Sequence, residues 1–431
     1  MQLSNNTIRK SIDLKINDAK ILSPRHKMKY YLFFNTTIAN IGGAEIYISN
    51  KSTHLKHLGF EVIVVSFEPG DIVIDNLKEY KKYIIPELKV LFRRSNNRIR
   101  NKILKIFKDL QLSGTIIIES NTSNLNSWGE FVAKEIGAYH ICYLLPEINR
   151  ISKCEYDFYS FKYKQHCLYG ITPHTISDLM DDAKEYPGTY LIAVGCTADT
   201  VSDALSFDVS NLPKVEYTIL SLGRLNKPYI PYMLESVFQF SQTHKTRTIN
   251  LLMVGGYLSK SVEKKIVDIQ SKSSNLNIYS LGELYPIPQN IFQSCDVSIA
   301  VAGCANICYN QGLPNIIIDA NDFEGVGIYK YTTNNVTFRT DEQPTSVSSL
   351  LEDVLVNKIY KKHPTLSQKA KLDYSKHDEL LSIPSRIEYF EPSYTPDSLL
   401  AYFVKILIYL FGPKAYFKLI DRVRKPYRNL S

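Results

Sequence analysis

The chain has 431 residues, with 51 Lys plus Arg against 43 Asp plus Glu, 44% hydrophobic and 22% charged residues. At about 100–200 residues per domain this is two or three domains of ordinary globular composition. It excludes a collagen-like chain, an acidic disordered tail and a disulfide-stapled mini-protein. Residues 1–28 are polar with scattered charge. They read as a flexible extension without the apolar core of a secretory signal. From Lys29 the pattern changes. Tyr30–Asn35 is a largely apolar run, as in a strand buried on both faces. A Gly-containing loop and a helical stretch, Ala44–Leu58, follow. Strands are expected at Glu61–Phe67, Thr115–Glu119, His140–Leu145, Leu168–Ile171 and Tyr190–Val194, with a helix at Trp128–Ile136. Ser206–Lys214 is polar and contains a Pro, as a linker would.

The cycle then restarts. Strands are expected at Glu216–Leu222, Ile249–Val254, Leu276–Leu281, Asp296–Val301 and Asn315–Asp319, with helices at Tyr232–Phe240 and Lys260–Gln270. Strands alternating with helices predict parallel, doubly wound sheets. The fold class is therefore α/β, with two Rossmann-like domains facing each other across a cleft. The expected organisation is an extension (1–28), a first domain (29–205), a second domain (215–360) and a C-terminal helical segment (361–431). Ligands in such folds bind at the carboxyl ends of the strands.

Three loops at predicted strand ends could carry chemistry. In the first, Gly42-Gly43 opens a helix, where close backbone amides and the helix dipole favour an anion. The spacing is not that of a dinucleotide fingerprint, and a plain strand–helix turn would read the same way. In the second, Arg224 and Lys227 follow the first strand of the second domain. A guanidinium fork and a point charge at that position suit a diphosphate. In the third, Gly303 and small residues lead into a short helix bearing Asn306 and Asn310 at i, i+4. These amides could bond sugar hydroxyls or serve as ordinary surface residues. Asp319, Asp322 and Glu324-Gly-Val-Gly327 come next, either wrapping a polar ligand or making a turn.

The chain resembles the GT-B glycosyltransferases over about residues 29–360. The likeness is to the family-4-like (group 1) enzymes of bacterial surface polysaccharide assembly. Its carriers are Gly42-Gly-Ala-Glu45, Gly223-Arg-Leu225 with Lys227, Val254-Gly-Gly256, Leu281-Gly282 with Cys295-Asp-Val297, and Gly312-Leu-Pro314. The resemblance implies transfer of a sugar from a nucleotide-diphosphate donor to a glycan or lipid-linked acceptor. The first domain would hold the acceptor and the second the donor. Gly42, Gly43, Gly255, Gly256 and Gly303 would lie beside the donor, with Arg224 and Lys227 on the diphosphate. Where the family places two glutamates before Gly-Leu-Pro, this chain has Ile299 and Ile307. Asn306, Asn310 or the Asp319–Glu324 loop, with Glu324 in it, would then handle the donor sugar.

His140 and Glu147, near strand ends of the first domain, are candidates for contact with the acceptor, His140 either as a base or, as a lone His more often is, as a structural residue. No Asp-x-Asp metal motif stands in place, so neither a metal nor another cofactor is expected. The seven Cys lack paired metal spacing and read as reduced thiols of a cytoplasmic protein. Positive charge is concentrated. Residues 89–108 carry eight Lys or Arg and no acid, and 412–431 carry six with one acid. Ile99, Ile103, Ile106 and Leu110 mark one face of a basic helix. Leu399–Phe411 is an apolar run interrupted by Lys405. Both segments, 89–108 and 399–431, are candidates for peripheral contact with an anionic membrane. Each could equally pack on the first domain. No nucleic-acid motif accompanies the charge. Two other functions stay open on the sequence: a non-catalytic glycan-binding or scaffold protein, and a nucleotide-sugar epimerase.

Overall fold

The computed structural model describes residues 28–39, 41–146, 155–172, 175–180, 186–191, 200–209, 212–360, 373–391, 399, 402–413 and 417. The first sheet comprises β1 (Lys29–Phe34), β2 (Phe60–Ser66), β3 (Lys81–Ile84), β4 (Thr115–Ser120), β5 (Tyr139–Leu144) and β6 (Leu168–Gly170). A short strand, β7 (Val201–Ser202), follows in the connector. The second sheet comprises β8 (Tyr217–Leu222), β9 (Ile249–Val254), β10 (Leu276–Gly282), β12 (Val297–Ala300), β13 (Asn315–Ile318) and β14 (Gly325–Ile328); β11 (Ile287–Pro288) pairs with β7.

The strand orders are β3-β2-β1-β4-β5-β6 and β10-β9-β8-β12-β13-β14. Relabelled within each sheet, both read 3-2-1-4-5-6, the doubly wound order of a Rossmann domain. The first sheet is parallel throughout. In the second, only β13–β14 is antiparallel. Each order reverses between its first and fourth strands. The loops after β1 and β8 therefore open at the two switch points. Those are the loops that carry Gly42-Gly43 and Arg224.

The strands are apolar because both faces are covered. In β1, Tyr31 and Phe33 pack on one side while Leu32 and Phe34 pack on the other. The helix Gly43–His57 is capped by Gly42 and stops before Gly59, whose φ of +80° a side chain would disfavour. A buried charge pair sits inside the first domain. Lys51 on that helix meets Glu119 of β4 at 2.5 Å, and the hydroxyls of Tyr31 and Tyr47 donate to the same carboxylate.

Several expectations are corrected. Glu324-Gly-Val-Gly327 is no ligand loop, because Gly325–Ile328 forms the edge strand β14 on β13. The apolar face of the basic helix Asn97–Asp109 is not available to a membrane. Ile99, Ile103, Leu104 and Phe107 are buried in the first-domain core. Arg100 is buried too, lying over the Phe92 ring and donating to Ser95 Oγ. The outward face of that helix stays exposed, with Arg98, Lys102, Lys105 and Lys108 among Asn97, Asn101 and Asp109. Residues 374–391 lie against the first domain. Tyr374 stacks on His54, Asp378 pairs with His54 at 2.7 Å, and the Phe390 amide donates to Glu130. The expected strand Tyr190–Val194 lies partly outside the described residues, with Tyr190 bridging to Gly170.

Candidate active site

The two switch points face each other across a cleft of about 1000 Å³, including space open to solvent. Gly42 and Gly43 form one wall. Gly223, Arg224 and Lys227 face them, with Gly255, Gly256 and Gly303 beside. Backbone bonds tie the strand ends of the second domain into one platform. The Gly223 amide donates to the Val254 carbonyl at 3.0 Å, and the Gly255 amide to the Gly282 carbonyl at 2.9 Å. A Cβ at Gly255 would overlap the Gly223 carbonyl, so only glycine allows these loops to touch. Leu225 plugs into the core beneath. Its neighbour Arg224 is thereby turned outward, exposed at the cleft.

On the far side, the helix Gly303–Asn310 begins at the cleft. The preceding Ala302 has φ +53° and ψ −131°, a strained backbone for a side-chain-bearing residue, and its amide donates to the Val336 carbonyl at 2.7 Å. Strain of this kind persists where surrounding structure enforces it, often at functional sites. The start of this helix lies at the cleft, where a helix dipole favours negative charge.

Two carboxylates that sequence reasoning did not single out complete the geometry. Glu45 is the third residue of its helix, and its Oε2 lies 2.6 Å from where a Gly42 Cβ would stand. The carboxylate therefore folds back over the helix start, behind the Gly42 wall. Burial raises its pKa to about 7, opposed by hydrogen bonding to its own backbone amide and by the charge of Arg224, and assisted by Glu283. Glu283 follows β10 and lines the cleft. Its Oε1 accepts from the Ile41 amide at 3.2 Å, a contact between the two domains. The position of Glu45, three residues after the glycine cap, is the sequence signal for a side chain that returns to the helix start. Glu283 carries no such signal.

The other predicted residues divide. Gly42, Gly43, Arg224, Lys227, Gly255, Gly256 and Gly303 come together in the cleft. Ile307 lines the same cleft as an apolar surface, while Ile299 is buried in β12. Asn306 and Asn310 do not line it, and Asn306 Oδ1 instead accepts from the Tyr329 hydroxyl at 2.7 Å. Glu324 is exposed beside β14, away from the cleft lining. Asp319 serves its own loop, accepting from the amides of Asn321 and Arg339 at 2.7 Å each.

His140 is not brought to the cleft either. It is 1% exposed, with Nε2 at 2.9 Å from Ser120 Oγ and Nδ1 at 2.7 Å from Glu130. Lys162 donates to the same glutamate at 2.9 Å. Burial, with the Lys162 charge, lowers the His140 pKa to about 4. It is a neutral core histidine at neutral pH, out of reach of an acceptor in the cleft. Glu147 lies outside the described residues. Among the described residues, no group of three or more His, Cys, Asp or Glu is placed to hold a metal ion. Cys142, Cys167 and Cys308 are buried free thiols.

No family model and no curated protein matches the sequence. Solved structures do match. A glycosyltransferase from Rickettsia africae is 16% identical, with a TM-score of 0.54 over 77% of this chain and 87% of that one. Anabaena HepE in complex with UDP and glucose is 14% identical, with a TM-score of 0.49 over 80% and 93%. A Listeria monocytogenes protein described as a UDP-N-acetylglucosamine 2-epimerase is 13% identical, with a TM-score of 0.49 over 80% and 91%. The chain has the GT-B fold: two Rossmann-like domains with the cleft between them.

Proposed function

We propose that the protein is a glycosyltransferase that moves a sugar from a nucleoside-diphosphate donor to a hydroxyl of a glycan or lipid-linked glycan, in the assembly of a capsule, exopolysaccharide or O-antigen. The observation that carries this is the convergence of Arg224, Lys227 and a helix N-terminus on one cleft wall, opposite the Gly42-Gly43 wall and its buried carboxylate. A diphosphate brings negative charge, and transfer adds more on the leaving oxygen. Fixed cations and backbone amides offset that charge without reorganising. The apolar stretch at Ile287, Ile307 and Tyr285 suits the flat face of a base or sugar ring. Closure over such a site would exclude water and limit donor hydrolysis.

The acceptor side falls to Glu45. Glu45 is buried just behind Gly42 and is not itself part of the cleft lining. In this reading an attacking hydroxyl reaches it past Gly42, and a carboxylate with a pKa near 7 takes its proton. The acceptor oxygen then bonds to the anomeric carbon as the bond to the diphosphate oxygen breaks. Nucleoside diphosphate leaves beside Arg224. In this reading Glu45 supplies chemistry that the missing glutamate pair would otherwise be expected to govern.

A donor screen by mass spectrometry, with lipid-linked acceptors from the source cells, tests the proposal. A mass gain of one sugar on an acceptor, with nucleoside diphosphate released, supports it. Glycan binding without nucleotide affinity would identify a scaffold, and an isomerised donor without acceptor would identify an epimerase. The base is tested separately. Glu45→Gln should lower kcat by about 10²–10⁴-fold. The wild-type rate should climb as pH rises through about 7, when Glu45 loses its proton, and the variant's should not. An unchanged pH profile in the variant would remove Glu45 from this role.

A further inference from the structure

The helix at residues 402–413 is apolar on two faces, and the described residues cover only one of them. Val404 and Ile408 are buried in the first-domain core, in the same cluster as Ile103 and Phe107. Tyr402, Phe403, Ile406, Tyr409 and Leu410 are instead 37–68% exposed. At about 100° per residue they share one stripe roughly 120° wide, directed away from the domain. Scattered exposed apolar side chains need no explanation, but a continuous stripe marks an interaction surface.

The surroundings are cationic. Arg100 of the helix Asn97–Asp109 acts electrostatically on Lys405, and Lys89 lies 5.6 Å from the Phe417 ring centroid. The two segments are therefore neighbours. On Asn97–Asp109, Arg98, Lys102, Lys105 and Lys108 are exposed. Lys102 pairs with Glu87 and Lys108 approaches Glu135 at 3.9 Å, whereas Arg98 and Lys105 have no acidic partner among the described residues. In sequence, the segment 412–431 adds six more cations against one acid.

We propose that this stripe lies flat on an anionic lipid bilayer, with its aromatic and aliphatic side chains at the acyl boundary and the flanking cations on lipid headgroups. Charge decides between occupants. A second copy of the chain would set cations against cations, whereas an anionic membrane complements them. Tyr and Phe suit a boundary that is apolar on one side and wet on the other. No helix among the described residues is long and apolar enough to cross a membrane. The inference does not depend on the chemistry of the cleft.

Co-sedimentation of the full chain with vesicles tests it, using phosphatidylcholine alone and phosphatidylcholine with phosphatidylglycerol, without any nucleotide sugar. The protein should pellet with the anionic vesicles, and less so as salt rises and screens the charges. The double variant Tyr409→Ser with Leu410→Ser should bind at least about tenfold more weakly, since it removes two exposed anchors. Its thermal melt should match wild type, because both positions are exposed. Arg98→Glu with Lys105→Glu should weaken binding and abolish the preference for anionic lipid. No pelleting, or pelleting that neither double variant alters, would overturn the proposal. So would light scattering that shows a dimer dissociated by the Tyr409, Leu410 variant. Any of these results would leave the reading of the cleft standing.

Discussion

Arg224→Ala is expected to lower turnover at least tenfold, and by up to about a thousandfold, while leaving the melting temperature near wild type. The size follows from where the charge is needed. Arg224 is exposed at the cleft while its neighbour Leu225 is anchored in the core, so the loop spends its packing on one residue and offers the next to ligand. A guanidinium can hold two phosphate oxygens at once, and the alanine variant leaves Lys227 as the neighbouring cation on that loop. The loss should fall mainly on kcat, because charge on the leaving diphosphate grows toward the transition state. Arg224→Lys should recover only part of it, since a point charge lacks the planar fork. Initial rates of nucleoside diphosphate release from the donor found in the screen measure this. Wild-type turnover in Arg224→Ala would take this residue out of the site.

The second large effect is on stability. Glu119→Ala should destabilise the first domain by about 3–5 kcal/mol, the usual cost of leaving one member of a buried ion pair uncompensated. Lys51 is 1% exposed and Glu119 is fully buried, 2.5 Å apart. Tyr31, Tyr47 and Asn121 also donate to that carboxylate. Burial pushes the Glu119 pKa up, but the Lys51 charge and these hydrogen bonds outweigh it and hold the carboxyl below its ordinary value. The sign follows. The folded state binds its proton less readily than the unfolded chain, so the stabilisation is present above the ordinary carboxylate pKa and is lost as pH falls through the depressed one. Urea denaturation at neutral pH measures the deficit. The paired variant Glu119→Leu with Lys51→Met should be milder than Glu119→Ala, because no charge is stranded. A single variant as stable as wild type would contradict this account of the core.

Much of the fold is legible from the sequence for a physical reason. Strands buried on both faces must be apolar throughout, so β1, β2, β4, β8 and β9 announce themselves as short apolar runs. The edge strands do not. Lys81–Ile84 begins with two lysines and is half exposed, and Gly325–Ile328 has two glycines, so neither reads as a strand. The glycine and cation loops that line the cleft were also visible, because their place at strand ends fixes where they open. The carboxylates were not. The pKa of Glu45 is set by burial and by Arg224, more than 150 residues away in the chain. Glu283 meets Ile41 only once the two domains are side by side. His140 shows the converse: being near a strand end in sequence does not tell whether a side chain faces ligand or core. Its partners Glu130 and Lys162 come from helices that cover the sheet.

The central claim is that the two halves of the chain hold a sugar nucleotide by its diphosphate in the cleft between their switch points. A crystal structure of the protein with UDP or GDP tests it most directly. The account predicts diphosphate density within hydrogen-bonding distance of the Arg224 guanidinium and the first amides of the helix Gly303–Asn310, with the base against Ile307 or Tyr285. A nucleotide bound elsewhere, or a cleft that stays empty at saturating nucleotide, would contradict it.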